Sequence, residues 1–123
     1  MWGQALEMLE NAERLQRQFF QPGAGRSGRW EPPVDVYQSG DDLWIFVAMP
    51  GVPQEGVEVL IDSTTLIVRG ERPLPAFAHG AVIHRLEMPY GPFERRIGLP
   101  AARYQLLQRT FDAGCLVLGV RPL

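Results

Sequence analysis

The sequence predicts an all-β fold, an antiparallel β-sandwich of seven or eight short strands preceded by a helical arm. Residues 43–49 form an apolar run that is too short to span a membrane and is typical of a strand covered on both faces. Residues 57–61 place Val57, Val59 and Ile61 on one face, as a half-buried strand does. Turn-forming residues then separate several further short apolar segments, which is the pattern of a sandwich.

Each strand is predicted from a short apolar or alternating segment between turn residues. Pro50-Gly51 ends the first of the two segments above, and we expect both segments to pair as antiparallel neighbours. Asp112-Ala113-Gly114 predicts a tight hairpin turn. The strand after Pro32-Pro33 is expected at a sheet edge, because proline cannot donate to a ladder. The remaining predicted strands are 34–38, 65–69, 81–88, 93–99, 106–111 and 115–120.

The helical arm is predicted at the start of the chain. Residues 1–20 carry apolar side chains at spacings of three or four, and residues 21–29 have the composition of a linker. The arm packs either on its own sandwich or on another subunit or partner, and the linker favours the second alternative. We therefore divide the chain into an arm with its linker, 1–31, and a sandwich, 32–123. The apolar stripe comprises Trp2, Leu6, Leu9, Ala12, Leu15 and Phe19.

Composition excludes several classes of function. The net charge of −2 gives no bulk attraction for nucleic acid or anionic lipid, and all twelve basic residues are arginine. The single cysteine, Cys115, cannot form an internal disulfide, which fits a reducing compartment. No apolar run reaches the length of a membrane span, and acidic residues near the N-terminus argue against a secretory signal. We expect a cytoplasmic protein.

Arg95 stands out within the strand 93–99. The two-residue period places it on the same face as Phe93, Ile97 and Leu99, although burying a charge is costly unless it is paired. Either this face is exposed to water at Arg95, or the arginine pairs with a carboxylate. The nearby segments offer three candidates for such a partner, Glu87, Glu71 and Asp112.

The sequence offers little for catalysis or cofactor binding. His79 and His84 lie in a predicted loop and strand, and Cys115 lies among apolar residues. Two histidines and one cysteine that lack the spacing of metal ligands do not predict a zinc site. A phosphate-binding loop is not predicted either, because the glycines of residues 21–29 do not follow a strand. We therefore expect no enzyme activity, no cofactor and no metal.

Five groups of residues resemble, in order, the motifs of the small heat-shock proteins, whose folded part is the α-crystallin domain. The resemblance covers roughly residues 32–121. The groups are Ala48-Met49-Pro50-Gly51-Val52 with Glu55-Gly56-Val57-Glu58-Val59; Gly70-Glu71-Arg72; His84-Arg85-Leu86-Glu87 with Tyr90-Gly91; Phe93-Glu94-Arg95-Arg96-Ile97-Gly98-Leu99-Pro100; and Phe111-Asp112-Ala113-Gly114-Cys115-Leu116.

The resemblance implies an immunoglobulin-like β-sandwich that dimerises by exchanging a strand. Residues 81–88 would leave their own sandwich and pair with the edge strand 34–38 of the other subunit. Arg95 would then pair across the interface with Glu87, or as second choice with Glu71. The implied interface residues are Val34, Val36, Tyr37, Glu71, Val82, His84, Glu87 and Arg95.

The resemblance also implies a function in binding unfolded proteins. Members carry a groove between the strands that correspond here to 57–61 and 106–111, which would be lined by Val57, Val59, Ile61, Leu107, Arg109 and Phe111. The implied activity is that of a holdase, a chaperone that binds partly unfolded clients without ATP. The alternative is an adaptor of the CS-domain class, which shares the sandwich, lacks the segment 81–87 and docks on a larger chaperone.

Three positions depart from the family pattern. Arg109 stands where members usually have alanine, and Ala113 where they usually have asparagine. The chain ends in Val-Arg-Pro-Leu without the usual Ile-x-Ile motif, so we expect dimers or small exchanging oligomers. Client capture would then depend on the arm, through Trp2, Leu6, Leu9, Leu15 and Phe19.

Overall fold

The computed structural model describes residues 29–100 and 102–123 as two antiparallel sheets. One sheet has the strand order β1-β2-β7-β6 and the other β3-β4-β5. The strands are β1 (Val34–Ser39), β2 (Asp42–Ala48), β3 (Glu58–Asp62), β4 (Thr65–Arg72), β5 (Gly91–Gly98), β6 (Tyr104–Asp112) and β7 (Cys115–Pro122). Two 3₁₀ turns, Gln54–Gly56 and Ala76–Gly80, lie between strands. The predicted sandwich is confirmed, while the predicted helical arm lies outside the described residues.

The core lies between the inner faces of the two sheets. Alternate residues of each central strand point inward, because successive side chains of a strand point to opposite faces. The four-stranded sheet contributes Leu43, Ile45, Val47, Leu116, Leu118 and Val120, and the three-stranded sheet contributes Leu66, Val68, Phe93 and Ile97.

The outer face of β2 explains why its sequence is apolar throughout. Trp44 and Phe46 point away from the core and are half-buried by their own sheet. A Cβ atom at Gly119, on the neighbouring strand β7, would lie 2.7 Å from the Trp44 ring, so only glycine fits beneath this ring. Tyr37 of β1 meets Phe46 edge-on, with ring centroids 5.7 Å apart.

The expected pairing of residues 43–49 with 57–61 is wrong. β2 and β3 belong to different sheets, and Pro50-Gly51 begins the connection that carries the chain from one sheet to the other. Gly51 has a φ of 76°, which glycine adopts without strain. A turn motif between two strands predicts a change of direction, but it does not determine whether the strands share a sheet.

The predicted strand 81–88 does not form within the chain. β4 pairs directly with β5, from Arg72 opposite Gly91 onward, and residues 73–90 form an excursion between them that we call the β4–β5 loop. Residues 81–88 are exposed, with Val82 84% accessible. A strand requires a backbone partner, and no strand of the described residues pairs with this segment.

The packed part of the chain begins before residue 32. Trp30, which follows the predicted linker 21–29 and falls in the segment 1–31, is buried, and its ring centroid lies 4.9 Å from that of Phe93. Its indole Nε1 donates to the carbonyl of Gly91 at 3.1 Å. The linker was predicted from glycine and proline content, which does not show where the next large aromatic residue packs.

A two-residue turn joins β6 and β7, as the sequence predicts. Asp112 lies opposite Cys115, and the two residues between them have positive φ, 50° at Ala113 and 81° at Gly114. This conformation matches the twist of the flanking strands, but it strains alanine because its Cβ approaches the carbonyl oxygen.

Replacing Ala113 by asparagine should therefore stabilise the sandwich. Asparagine tolerates this conformation, so Ala113→Asn is expected to raise the free energy of unfolding by about 1 kcal/mol. Urea denaturation measures the change. Ala81→Asn, at a position with a φ of −100°, is the control and should leave stability unchanged. Equal effects of the two substitutions would contradict the proposed strain at residue 113.

Candidate functional site

The candidate binding site is a groove between two sheet edges, which we call the edge groove. β3 ends one sheet and β6 ends the other, and a hydrogen bond from Arg109 to Val57 joins the two edges. Val57 is buried, and Val59 and Phe111 are partly buried against the core. Ile61 is 36% accessible because, among the described residues, no further strand covers the edge of its sheet.

The side chains of the edge groove continue the inner faces of the sheets. Val59 lies opposite the buried Val68, so it points to the core side of β3. On β6, Arg109 and Phe111 lie opposite Leu118 and Leu116, which are fully buried. The structure therefore brings five of the six predicted groove residues to the inward side of the two edges.

Leu107 is the sixth predicted residue, and a β-bulge changes its place in the ladder. The pairing passes from Leu106 opposite Val120 to Gln108 opposite Gly119, which leaves Leu107 as the extra residue. Leu106 lies opposite the core residue Val120, so it faces the groove. A strict two-residue period would have predicted that Leu107 faces the groove instead. Both leucines remain more than two-fifths accessible. A bulge adds one residue to a strand, so a two-residue period does not predict it.

Arg109 crosses the edge groove at the end near Val57. Its Nη2 donates to the carbonyl oxygen of Val57, the residue that directly precedes β3 of the other sheet. In the part of the chain that the structure describes, Arg109 forms no salt bridge. Arg109, which replaces the alanine that is usual in the family, thus bridges the two edges at this end of the groove.

Two further segments, β1 and the β4–β5 loop, each expose apolar side chains. Val36 and Tyr37 are exposed on β1, the edge strand predicted from the preceding prolines. On the loop, Phe77, Val82, Ile83, Leu86 and Met88 are also exposed. Two of the predicted interface residues, His84 and Glu87, lie among them, and Glu87 pairs with the neighbouring Arg85 at 3.7 Å. Exposed apolar side chains concentrated in this way are typical of an interaction surface.

The interface residues that were predicted together occupy three places within one subunit. Val34, Val36 and Tyr37 belong to β1, and Val82, His84 and Glu87 to the β4–β5 loop. Glu71 and Arg95 lie on β4 and β5 of the other sheet. Their association across two subunits stays a prediction.

Arg95 points to the inner face of β5, as its parity predicts. It lies opposite Val68, on the same side as Phe93 and Ile97, and its side chain is 21% exposed. Within the chain its Nη1 lies 3.8 Å from Oε2 of Glu31. Glu31 was not among the three predicted partners, Glu87, Glu71 and Asp112, because it precedes the first predicted strand.

Arg72 is a second inward-facing arginine, and the sequence analysis missed it. It is buried, and it donates from Nε to the carbonyl of Pro50 and from Nη1 to the carbonyl of Pro89, both at 3.1 Å. It therefore ties the connection after β2 to the end of the β4–β5 loop. The inward direction of Arg72 could have been predicted from the sequence. Leu66, Val68 and Arg72 share one face of β4 by the same two-residue period that placed Arg95 on an apolar face.

The remaining candidate groups do not come together. His79 and His84 are exposed on the β4–β5 loop, and Cys115 is a half-buried free thiol at the start of β7. Among the described residues, no three side chains of the His, Cys, Asp and Glu types form a group that could hold a metal ion. The same residues contain no helix that is long and apolar enough to cross a membrane.

One surface ion pair has a defined effect on protonation. Arg121 of β7 donates two hydrogen bonds to the Asp42 carboxylate, at 2.9 and 3.0 Å, across the end of the sheet. These bonds lower the pKa of Asp42 and raise that of Arg121. The pair therefore contributes to folding above the usual pKa of an aspartate, and this contribution is lost as the pH falls through the lowered value.

Comparison with known proteins places this geometry in a family. The model of the Hsp20/alpha crystallin family matches residues 35–121, more than half of the 123-residue chain. The chain belongs to the Hsp20/alpha crystallin family. This confirms the resemblance to small heat-shock proteins drawn from the motifs, and membership supports a chaperone role.

Individual small heat-shock proteins agree in sequence and in fold. The 18 kDa heat shock protein of Streptomyces albus G is 28% identical over 109 residues, covering 88% of this chain and 76% of that protein. Heat shock protein 16.0 of Schizosaccharomyces pombe superposes with a TM-score of 0.67 at 27% identity, over 75% of this chain and 86% of that chain. The hspA of Xanthomonas axonopodis gives a TM-score of 0.63 at 26% identity, over 76% and 95%.

Arg72 generates a prediction about stability in this small heat-shock protein. Arg72→Ala removes the donor from two carbonyls, one of them on the buried Pro89, and is expected to lower the free energy of unfolding by about 2–3 kcal/mol. The control is Arg96→Ala, whose side chain is 64% exposed on β5 and should change stability by less than about 0.5 kcal/mol. Denaturant unfolding at constant pH compares the two, and equal losses would contradict the clamping role of Arg72.

Proposed function

We propose that this protein is an ATP-independent holdase, which binds partly unfolded proteins and slows their aggregation. The observation that carries the proposal is the edge groove, where apolar side chains of β3 and β6 lie beside an unpaired strand edge. Family membership supports the broader chaperone role. The β4–β5 loop, which contains the segment 81–87, favours this function over that of a CS-domain adaptor.

The edge groove suits an extended segment of an unfolded client. Such a segment exposes apolar side chains and unpaired backbone groups, and it can add to the free edge of β3 as a further strand. Val59, Ile61 and Phe111 would contact its apolar side chains, while the backbone of β3 would supply hydrogen bonds. Binding of this kind withdraws the client from aggregation by mass action and needs no nucleotide.

The predicted arm with its linker, residues 1–31, is proposed as a second contact for clients through the apolar stripe of residues 1–20. Each large apolar side chain that it buries on a client contributes about 1.5–3 kcal/mol, which gives contacts that form and break readily. The division of the chain into an arm and a sandwich belongs to this proposal.

The holdase proposal predicts suppression of client aggregation without nucleotide. Light scattering of a heat-denatured client is expected to fall in the presence of the full chain, and a form comprising residues 29–123 should lose most of this protection because it lacks the arm. Absence of any protection by the full chain would refute holdase activity. Equal protection by both forms would refute the role of the arm and assign the client to the sandwich.

We further propose a homodimer in which residues 81–88 of one subunit pair with β1 of the other. Both partners are exposed within a single subunit: the β4–β5 loop presents Val82 and Leu86, and β1 presents Val36 and Tyr37. β1 is an unpaired edge strand, which proteins usually cover or protect. Exchange of the loop would cover both surfaces at once, and it would give residues 81–88 the strand partner that no other described residues of the chain supply.

The dimer should therefore depend on the exposed apolar residues of the loop. Val82→Asp with Leu86→Asp is expected to convert the dimer to monomers, because two carboxylates would be buried at the interface, without unfolding a sandwich that does not use these side chains. Analytical ultracentrifugation measures the change. Leu123→Asp, at a residue 77% exposed, is the control and should leave the dimer intact. A dimer that survives the loop substitutions would refute the exchange.

The ion pair between Arg95 and Glu87 of a second subunit can be measured in the same assay. A double-mutant cycle of Arg95→Ala and Glu87→Ala on the dimer dissociation constant should show coupling if the two side chains meet across the interface. The matched cycle uses Glu31→Ala in place of Glu87→Ala and is read on the free energy of unfolding, which reports the pair within the chain. Coupling to Glu31 alone would restrict Arg95 to its own subunit.

A further inference from the structure

Arg109 is a charged residue in a groove that is otherwise lined by apolar side chains. It lies on β6 opposite Leu118 and two residues before Phe111, so it occupies an inward-facing position of the strand. Its guanidinium reaches across the edge groove and donates to the carbonyl of Val57. No carboxylate of the described chain forms a salt bridge with it.

The carbonyl that Arg109 holds lies on the free edge of β3. Val57 has extended backbone angles, with φ −102° and ψ 124°, and leads directly into β3. Because its carbonyl is reached from the β6 side, it points away from β4, which pairs with the opposite edge of β3. Backbone groups alternate in direction along a strand, so Val59 and Ile61 present their N–H and C=O groups to the same free edge.

A strand that added to this edge would compete with Arg109. Pairing along Val57, Val59 and Ile61 requires the carbonyl of Val57, and so it displaces the guanidinium from its acceptor. A displaced guanidinium covered by the new strand is costly unless it finds another acceptor. A carboxylate is the acceptor that suits it best, because the two groups form a charge-assisted and often bidentate pair.

We propose that Arg109 makes the edge groove selective for extended client segments that carry a carboxylate beside their apolar residues. The inference rests on the proposed role of the groove in client binding. Side chains that face the groove alternate along the added strand. The preferred segment therefore has Asp or Glu at the position that pairs beside Val57, and apolar residues at the positions beside Val59 and Ile61. On binding, the Arg109 guanidinium gives up its hydrogen bond to the Val57 carbonyl and pairs with the carboxylate of the client.

The preference can be measured with three short peptides that are blocked at both ends. The first has Glu, Ile and Ile at alternate positions separated by serines, the second has Gln in place of Glu, and the third has Ser in place of both Ile residues. Fluorescence anisotropy at low ionic strength gives their affinities for the full chain. The Glu peptide is expected to bind about tenfold more tightly than the Gln peptide, and the Ser peptide to bind most weakly.

Variants at residue 109 should change the preference without removing the groove. In Arg109→Ala the Glu and Gln peptides should bind equally, and the Gln peptide should bind at least as tightly as to the original chain because the contact with Val57 is gone. Arg109→Lys should retain part of the preference, since it keeps the charge without the planar fork. Arg96→Ala, on the outer face of β5, is the matched control and should keep the full tenfold ratio.

The outcomes separate this inference from the proposed function on which it rests. Equal affinity of the Glu and Gln peptides for the original chain, with both binding more tightly than the Ser peptide, would overturn the role of Arg109 and leave the groove as a peptide site. Failure of all three peptides to bind either the original chain or Arg109→Ala would overturn the groove itself. Circular dichroism of each variant shows whether the sandwich is retained.

Discussion

The burial of two alternating apolar faces against each other is the constraint on which the rest of the structure depends. Ile45 and Leu118, in the middle of one sheet, and Leu66 and Val68, in the middle of the other, are fully buried between the sheets. This burial removes apolar area from water and is the dominant favourable term in folding. It also sets which residues of the outer strands point inward, because the strands follow the same two-residue period except at the bulge in β6.

The same constraint leaves sheet edges that the other described residues do not cover. β3 and β6 end their sheets with inward-facing side chains that are only partly buried, and β1 ends the four-stranded sheet with Val36 and Tyr37 in solvent. Open edges of this kind are hazards in most proteins, because they accept additional strands. The proposed unfolded client and second subunit would both offer the extended segment that such an edge accepts.

Arginine side chains join parts of the sandwich that backbone pairing does not connect. Arg72 ties the connection between the sheets to the β4–β5 loop, and Arg109 joins the two sides of the edge groove. Arg95 links β5 to Glu31, ahead of the first strand. Guanidinium groups suit these positions because they carry several donors on a long side chain, so one residue can reach carbonyls on separate segments.

The sequence by itself determined the elements that depend on near neighbours. These are the alternation of the strands, the inward face of Arg95, and the turn at Ala113, whose positive φ follows from the two-residue connection. Only the tertiary structure decided which strands share a sheet, where the β6 bulge shifts the register, and that Arg109 meets Val57. The last two residues are 52 positions apart, and a contact over that distance depends on how the sheets stack rather than on local pattern.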